Sequence, residues 1–296
     1  MLSSRIDRLA PPPRPVPLRV ACRAMLGMTG ALGAIFLLVG TITAWVFVGD
    51  LNPLNELRLA RSPATAQGIV TGVATTNASE NDEPVYVCSF TFRTPDERTI
   101  TGKSYVTGYA WSVEDRVTIE YVPEDPTVAR IEGARLSQFS PFVLFVLIFP
   151  ATGAVLFATS TVRGWKQAVL LRLGESAGSK IISERATGTR INDVPVMEYV
   201  YEFPAPDGES YIGKSRALPS GRIGDEATEP VLYLPQNPRR STLVDALPLR
   251  YPLDVDGPSG QWISQERVWP VMWYTLIWIG IAANVAYAFI RMLANL

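Results

Sequence analysis

Three stretches without a single charge govern what this chain can become: Ala24–Gly49, Leu136–Val162 and Val268–Ile290. Each exceeds the ~20 apolar residues that carry a helix across a hydrocarbon core about 30 Å thick. Three transmembrane helices are therefore expected, over 24–49, 140–162 and 268–290. The first run follows an Arg-bearing tail, as a secretory signal would, but a signal core is only about 7 to 15 residues long, so a retained anchor fits better. In the second run Ser140-Pro141 joins a capping residue to a proline at the first helical position, which marks a helix start. Pro150 is expected to kink that helix near its centre. Trp269 and Trp273 suit an interfacial belt, with Trp278 deeper. Nothing ionisable lies inside the runs, which argues against a pump or transporter acting alone.

The cations beside the spans set the expected orientation. Arg5, Arg8, Arg14, Arg19 and Arg23 crowd the tail, residues 1–23, whereas the far side of the first span offers only Arg58 and Arg61 nearby. Arg163, Lys166, Arg172 and Lys180 follow the second span, and only Arg291 follows the third. The positive-inside bias then places the N-terminus in the cytoplasm, the first loop outside, the second loop inside and the C-terminus outside. Within the tail, Pro11 to Pro17 should form an extended polyproline segment, serving as a spacer or a docking peptide. The basic tail also suits the anionic lipids of the inner leaflet.

The two loops read as one module written twice. At an offset of 111 residues, Asn81-Asp82-Glu83-Pro84-Val85 matches Asn192-Asp193-Val194-Pro195-Val196, Pro95-Asp96 matches Pro206-Asp207, and Gly102-Lys103-Ser104 matches Gly213-Lys214-Ser215. The register then slips by one, and Tyr121-Val122-Pro123-Glu124-Asp125-Pro126 aligns with Tyr233-Leu234-Pro235-Gln236-Asn237-Pro238. Several short matches at nearly constant spacing mean an internal duplication. Tyr86, Cys88, Phe90 and Phe92 alternate with Val87, Ser89 and Thr91, and Met197, Tyr199, Tyr201 and Phe203 alternate with Glu198, Val200 and Glu202. Period two with aromatic and β-branched residues is the mark of half-buried strands. About five strands per copy make a small antiparallel barrel or sandwich, over 64–135 and 174–247. The fold class is thus a membrane protein with three helices and two duplicated all-β modules; residues 248–267 read as a Pro- and Gly-bearing linker.

Asn-x-x-Pro-Val before an aromatic strand, Pro-Asp-Gly in a hairpin, and Asp115-Arg116-Val117-Thr118-Ile119-Glu120-Tyr121 before a proline-rich turn carry a likeness to a known family. Both loops resemble a bacterial membrane-tethered domain of unknown function, the family numbered three thousand five hundred ninety-two, here in two tandem copies. The second copy departs from the pattern, with Asp225 to Tyr233 two residues longer and Pro230 inserted. The resemblance implies a β-module beside membrane helices and brings no catalytic residues.

Composition removes several chemistries. The chain has no histidine, so Ser-His-Asp and Cys-His nucleophile pairs, His bases and His metal ligands are excluded. Gly208 to Ser215 satisfies the phosphate-loop formula letter by letter. That loop needs a strand before it and a helix after it; here a Pro-Asp-Gly turn precedes, the middle reads as a strand, and Arg216 to Gly221 cannot begin a stable helix. The first copy has Glu97 where Gly208 stands, so only Gly-Lys-Ser is shared. Adjacent acids at Asp96-Glu97, Glu114-Asp115 and Glu124-Asp125 diverge in a strand or sit in water in a turn, which leaves no convergent acid and base. Asp254-Val255-Asp256-Gly257 lacks the later ligands of a calcium loop. No cofactor or metal is expected, and no enzyme activity. Neither module has the basic, aromatic-studded face of a nucleic-acid binder. Cys88 falls on an apolar strand face and Cys22 at the edge of the first span, and no disulfide between them is expected.

What remains is a binding or assembly role through the two modules. The candidate surface is Lys103, Tyr105 and Lys214, facing an anionic partner; the blander reading makes the lysines solvated strand charges and the glycines close-approach positions. Expected partners are the lipid bilayer and a protein or a second copy of the chain, with no nucleic acid and no small-molecule substrate. An accessory subunit of an envelope enzyme or transporter acting on lipid or polymer is the alternative.

Overall fold

A computed structural model describes residues 3–49, 51–219, 223–224, 227–247, 253–264 and 268–294. The side chains of Arg5 and Arg291, together with Asp225, positions 220–221 and both ends of the 248–267 stretch, lie outside the described residues. The chain divides into two units, residues 39–150 and residues 1–38 with 151–296.

Three helices are long and apolar enough to cross a membrane. A short helix α1 (Leu18–Leu26) leads at Gly27 into α2 (Met28–Val48). After α3 (Pro53–Arg61) and the first module comes α4 (Ile148–Leu173), and α5 (Trp269–Ala294) closes the chain. Ser140 caps as expected: its Oγ accepts from the Phe142 N–H at 3.4 Å, with Pro141 in the first turn. Pro141–Leu147 winds as a 3-10 helix and α4 begins at Ile148, so Pro150, expected near the centre of one helix, lies in the first α-turn just after the change of winding. Glycines bring α2 and α4 together: a Cβ on Gly33 would stand 2.5 Å from the Phe157 backbone nitrogen, and one on Gly30 2.7 Å from Ser160 Oγ.

The unit 39–150 holds the first module. Its strands are β1 (Ala64–Glu80), β2 (Glu83–Arg93), β3 (Thr99–Thr107), β4 (Arg116–Val122) and β5 (Asp125–Ile131), all antiparallel, in the order β3-β2-β1-β4-β5. The other unit repeats it with β6 (Glu175–Ile191), β7 (Val194–Pro204), β8 (Ser210–Ala217), β9 (Glu229–Leu234) and β10 (Asn237–Leu243), in the equivalent order β8-β7-β6-β9-β10. The strand edges curl toward each other, so each sheet is nearly a barrel. Identity of the two extends to irregularities. Register shifts fall at Val70/Gly72 and Thr75/Ser79 in β1, and at Ile181/Ser183 and Ala186/Arg190 in β6, each pair 111 residues apart. These bulges supply the twist that bends a 17-residue strand around a small core. Asn81-Asp82 and Asn192-Asp193 take positive φ, from 49° to 65°, as the two-residue turn joining the first hairpin of each module requires.

Inside the first module Phe90, Phe92, Val117, Ile119 and Ile131 are buried, and α3 covers its outer side through Leu59 against Val122 and Val128. Tyr201, Phe203, Val231, Tyr233 and Leu243 fill the second. Every residue of β9 is buried. Val231 and Tyr233 face the barrel, while Leu232 and Leu234 face a further cluster with Ile6, Leu171, Val255 and Trp262. The stretch expected to be a linker therefore carries a hairpin, β11 (Leu253–Val255) and β12 (Trp262–Ser264), whose Leu253, Val255 and Trp262 are buried in the cluster that holds Leu232 and Leu234. The N-terminal tail completes that cluster and is docked, not free.

Candidate functional site

The duplicated Gly-Lys-Ser lies within β3 and within β8. The phosphate-loop match at 208–215 is thus a turn and a strand, with no helix at its end. Each of its residues has a different role. The glycine makes room for an aromatic ring: a Cβ on Gly102 would meet Phe90, and one on Gly213 would meet Tyr201. The serine closes the barrel. Ser104 Oγ accepts from the Ile131 N–H at 2.8 Å, and Ser215 Oγ accepts from the Leu243 N–H at 3.0 Å, joining β3 to β5 and β8 to β10. Both serines are buried, so each satisfies a backbone donor that water does not reach.

The lysine points the other way. Lys103 and Lys214 are exposed, on the outward faces of their strands. Lys103 opens onto a recess of about 320 Å³ with Asn52, Asn55 and Asp125. Tyr105 shares its outward face and is half-buried, with reciprocal backbone bonds to Arg135 at 2.9 Å. Lys214 lies between Ile212 and Arg216 on the outward side of β8. The structure thus places all three expected residues on module surfaces, Lys103 with Tyr105 on one module and Lys214 on the other.

Beside the lysines the two modules diverge. In the first, Ala74, Val87 and Tyr105 stand side by side across β1, β2 and β3. The equivalent row of the second is Arg185, Glu198 and Arg216. Arg185 reaches Glu198 Oε1 at 2.5 Å and Arg216 reaches Oε2 at 2.8 Å, with the Glu198 side chain 5% exposed and the two arginine side chains 70% and 69% exposed. Hydrogen bonds from Arg216 and then Arg185 hold the Glu198 carboxyl below its ordinary range, against the opposing effect of desolvation. The same scaffold thus carries an apolar row in one module and a charged row in the other.

The barrel interiors have adapted in pairs. Where the first module has Phe90 and Ala129, the second has Tyr201 and Ser241, whose hydroxyl oxygens lie 3.1 Å apart. Burial pushes the Tyr201 phenol upward, partly offset by Ser215 and Ser241. Among the described residues no three His, Cys, Asp or Glu side chains gather into a metal-binding group. Cys22 and Cys88 are both buried free thiols.

The sequence reading missed a buried cation, Arg14. It lies 2% exposed in the proline segment, with Nη2 donating to the Gly174 carbonyl and its backbone N–H donating to Arg172 O at 2.9 Å. Its signal lies elsewhere in the chain. Leu232 occupies the position of Glu120 in the first copy, and an apolar residue on the outward side of a strand announces something covering it. Comparison with protein-family models, with curated proteins and with solved structures returns no match.

Proposed function

We propose that this chain is a non-enzymatic anchor protein of the bacterial inner membrane, whose two β-modules hold different protein partners on opposite sides of the bilayer. The observation that carries the reading is the divergence of one equivalent row, Ala74–Val87–Tyr105 against Arg185–Glu198–Arg216, on otherwise matching sheets. Selection for packing alone acts on the inward face; the outward face of a strand is free to specialise in what it meets. Docking of the tail on the second module supports a shared side for those two segments, since Ala10 N–H donates to Gly260 O at 2.8 Å and Arg14 binds the Gly174 carbonyl. Two crossings then separate them from each other along the chain, with the first module on the far side. The family resemblance, which rests on motifs alone, agrees with a β-module tethered beside membrane helices.

Single cysteines at Glu97 and Glu209, in a Cys22→Ala/Cys88→Ala background, test the arrangement with an impermeant thiol reagent on intact cells. Labelling at 97 alone is the expected result; labelling at both sites, or neither, overturns the two-sided reading. Crosslinking followed by purification should return a protein partner with the first module that Val87→Asp releases and Glu198→Ala does not. Recovery of the uncrosslinked monomer alone overturns the partner reading.

A further inference from the structure

Within the unit formed by residues 1–38 and 151–296, an open groove of about 770 Å³ runs between α1, α4, α5 and β10. That is ample for a phosphate head and the first part of an acyl chain. Its walls are apolar and aromatic, with Met25, Trp165, Val271 and Tyr274 prominent. Two cations stand at it, Lys166 from α4 and Arg240 from β10. Both are exposed, neither has an ion pair or hydrogen bond among the described residues, and no Asp or Glu lines the groove. The depth is equally informative. The second charge-free run ends at Val162, and the third begins at Val268, so the groove lies where the apolar spans meet the first polar residues.

We infer that this groove binds an anionic phospholipid, with the phosphate held by Lys166 and Arg240 and an acyl chain laid along Met25, Val271 and Tyr274. A guanidinium presents two parallel donors to a phosphate and an ammonium adds a point charge, so the pair matches a head group with net negative charge. A soluble phosphate compound leaves the apolar wall wet, and a zwitterionic lipid brings its own cation to two unpaired ones. A basic pocket between membrane helices at the head-group level is the general form of such a site. The lipid would bridge α4 to β10 and so tie the second module to the bilayer surface. This goes beyond the partner reading and rests on the helices being membrane-crossing, which the thiol labelling tests separately.

The experiment uses the full chain in nanodiscs of phosphatidylcholine carrying a trace of phosphatidylglycerol with a diazirine near the top of one acyl chain. Photolysis and peptide mapping should concentrate adducts on the segments holding Met25, Trp165 and Tyr274. The Lys166→Gln/Arg240→Gln pair should lower that yield about tenfold to thirtyfold, from ~1 kcal/mol per basic residue near a membrane surface. Thr275→Trp, which fills the groove and keeps both cations, should lose the same adducts, and a phosphatidylcholine probe should label the spans evenly in every variant. Phosphatidylglycerol adducts spread evenly over the three spans, or unchanged in the double variant and in Thr275→Trp, overturn the inference. Displacement of the probe by millimolar inorganic phosphate also overturns it, since the groove would then take a soluble anion.

Discussion

The guanidinium carbon of Arg14 stands 5.9 Å from the centre of the Trp262 indole, and the indole Nε1 donates to the Leu171 carbonyl at 2.8 Å. A residue of the proline segment and a residue of the last hairpin thus meet over the end of α4. Desolvation pulls the guanidinium below its ordinary value while Glu175 opposes the change. The cation, the ring and the carbonyls form one clamp.

Arg14→Ala should leave the Gly174 carbonyl without its donor and cost ~1–3 kcal/mol of the stability of the second module. Arg14→Lys should recover little, because an ammonium lacks the planar face that lies over the indole. Thermal unfolding in detergent, together with protease cleavage of the tail, measures both. A tail as resistant as that of the unchanged protein refutes the clamp.

Ser104→Ala should orphan the Ile131 N–H, and Ser215→Ala the Leu243 N–H, each at ~1–3 kcal/mol. Amide hydrogen exchange reads the effect locally. Protection at Ile131 should fall in the first variant with Leu243 unchanged, and the reverse should hold in the second. Equal loss at both amides in either variant contradicts independent closure of the two barrels.

Tyr201→Phe and Ser241→Ala each break the 3.1 Å hydroxyl pair, whereas the two together restore the apolar chemistry of Phe90 and Ala129. The double variant should therefore be less destabilised than the sum of the singles, by about 0.5 kcal/mol or more. Strict additivity in unfolding free energies would mean that the two hydroxyls are not energetically coupled.

The acid limb of stability should be set partly by Glu198 and Glu80. Glu80 is bound through Arg135 at 2.8 Å and Thr107 at 2.9 Å, and these bonds outweigh desolvation, the largest single influence, which acts upward. Both carboxyls are held below their ordinary value, so the folded state binds fewer protons than the unfolded chain as pH falls toward that value. Their stabilising contribution is complete above the ordinary carboxylate value of 4.5 and is lost as pH drops through the lower folded values. Unfolding followed from pH 6 to pH 3 should show a shallower decline in Glu80→Gln and Glu198→Gln, each starting from a lower plateau. An unchanged slope in both rules out this origin.

The long apolar helices and the strands were legible because their signals are local and repeated: uncharged runs of helical length, and period-two alternation at Met197–Phe203. The same holds for the duplication, whose offset of 111 reappears in the starts of the first three strands and in the bulges. The Asn-Asp pairs stand out in the sequence as matches between the copies, and the positive φ they adopt shows the turn that selects such side chains. The docked tail was not legible. Its proline run looks the same whether solvated or covered, and only the loss of alternation at Leu232 betrays the second buried face. The groove was hidden for a related reason. Lys166 and Arg240 lie far apart in sequence, and each alone is an ordinary surface cation.

The tail also ties distant stretches of the sequence into one folding step. Ala10 meets Gly260, and Arg14 meets Gly174 and Trp262, so the cluster around Leu232 and Leu234 closes only when the tail and the last hairpin are both in place. A chain that has made β9 but not yet the hairpin Leu253–Ser264 carries an oily strip on the outward side of that strand, and loss of either covering segment exposes it again.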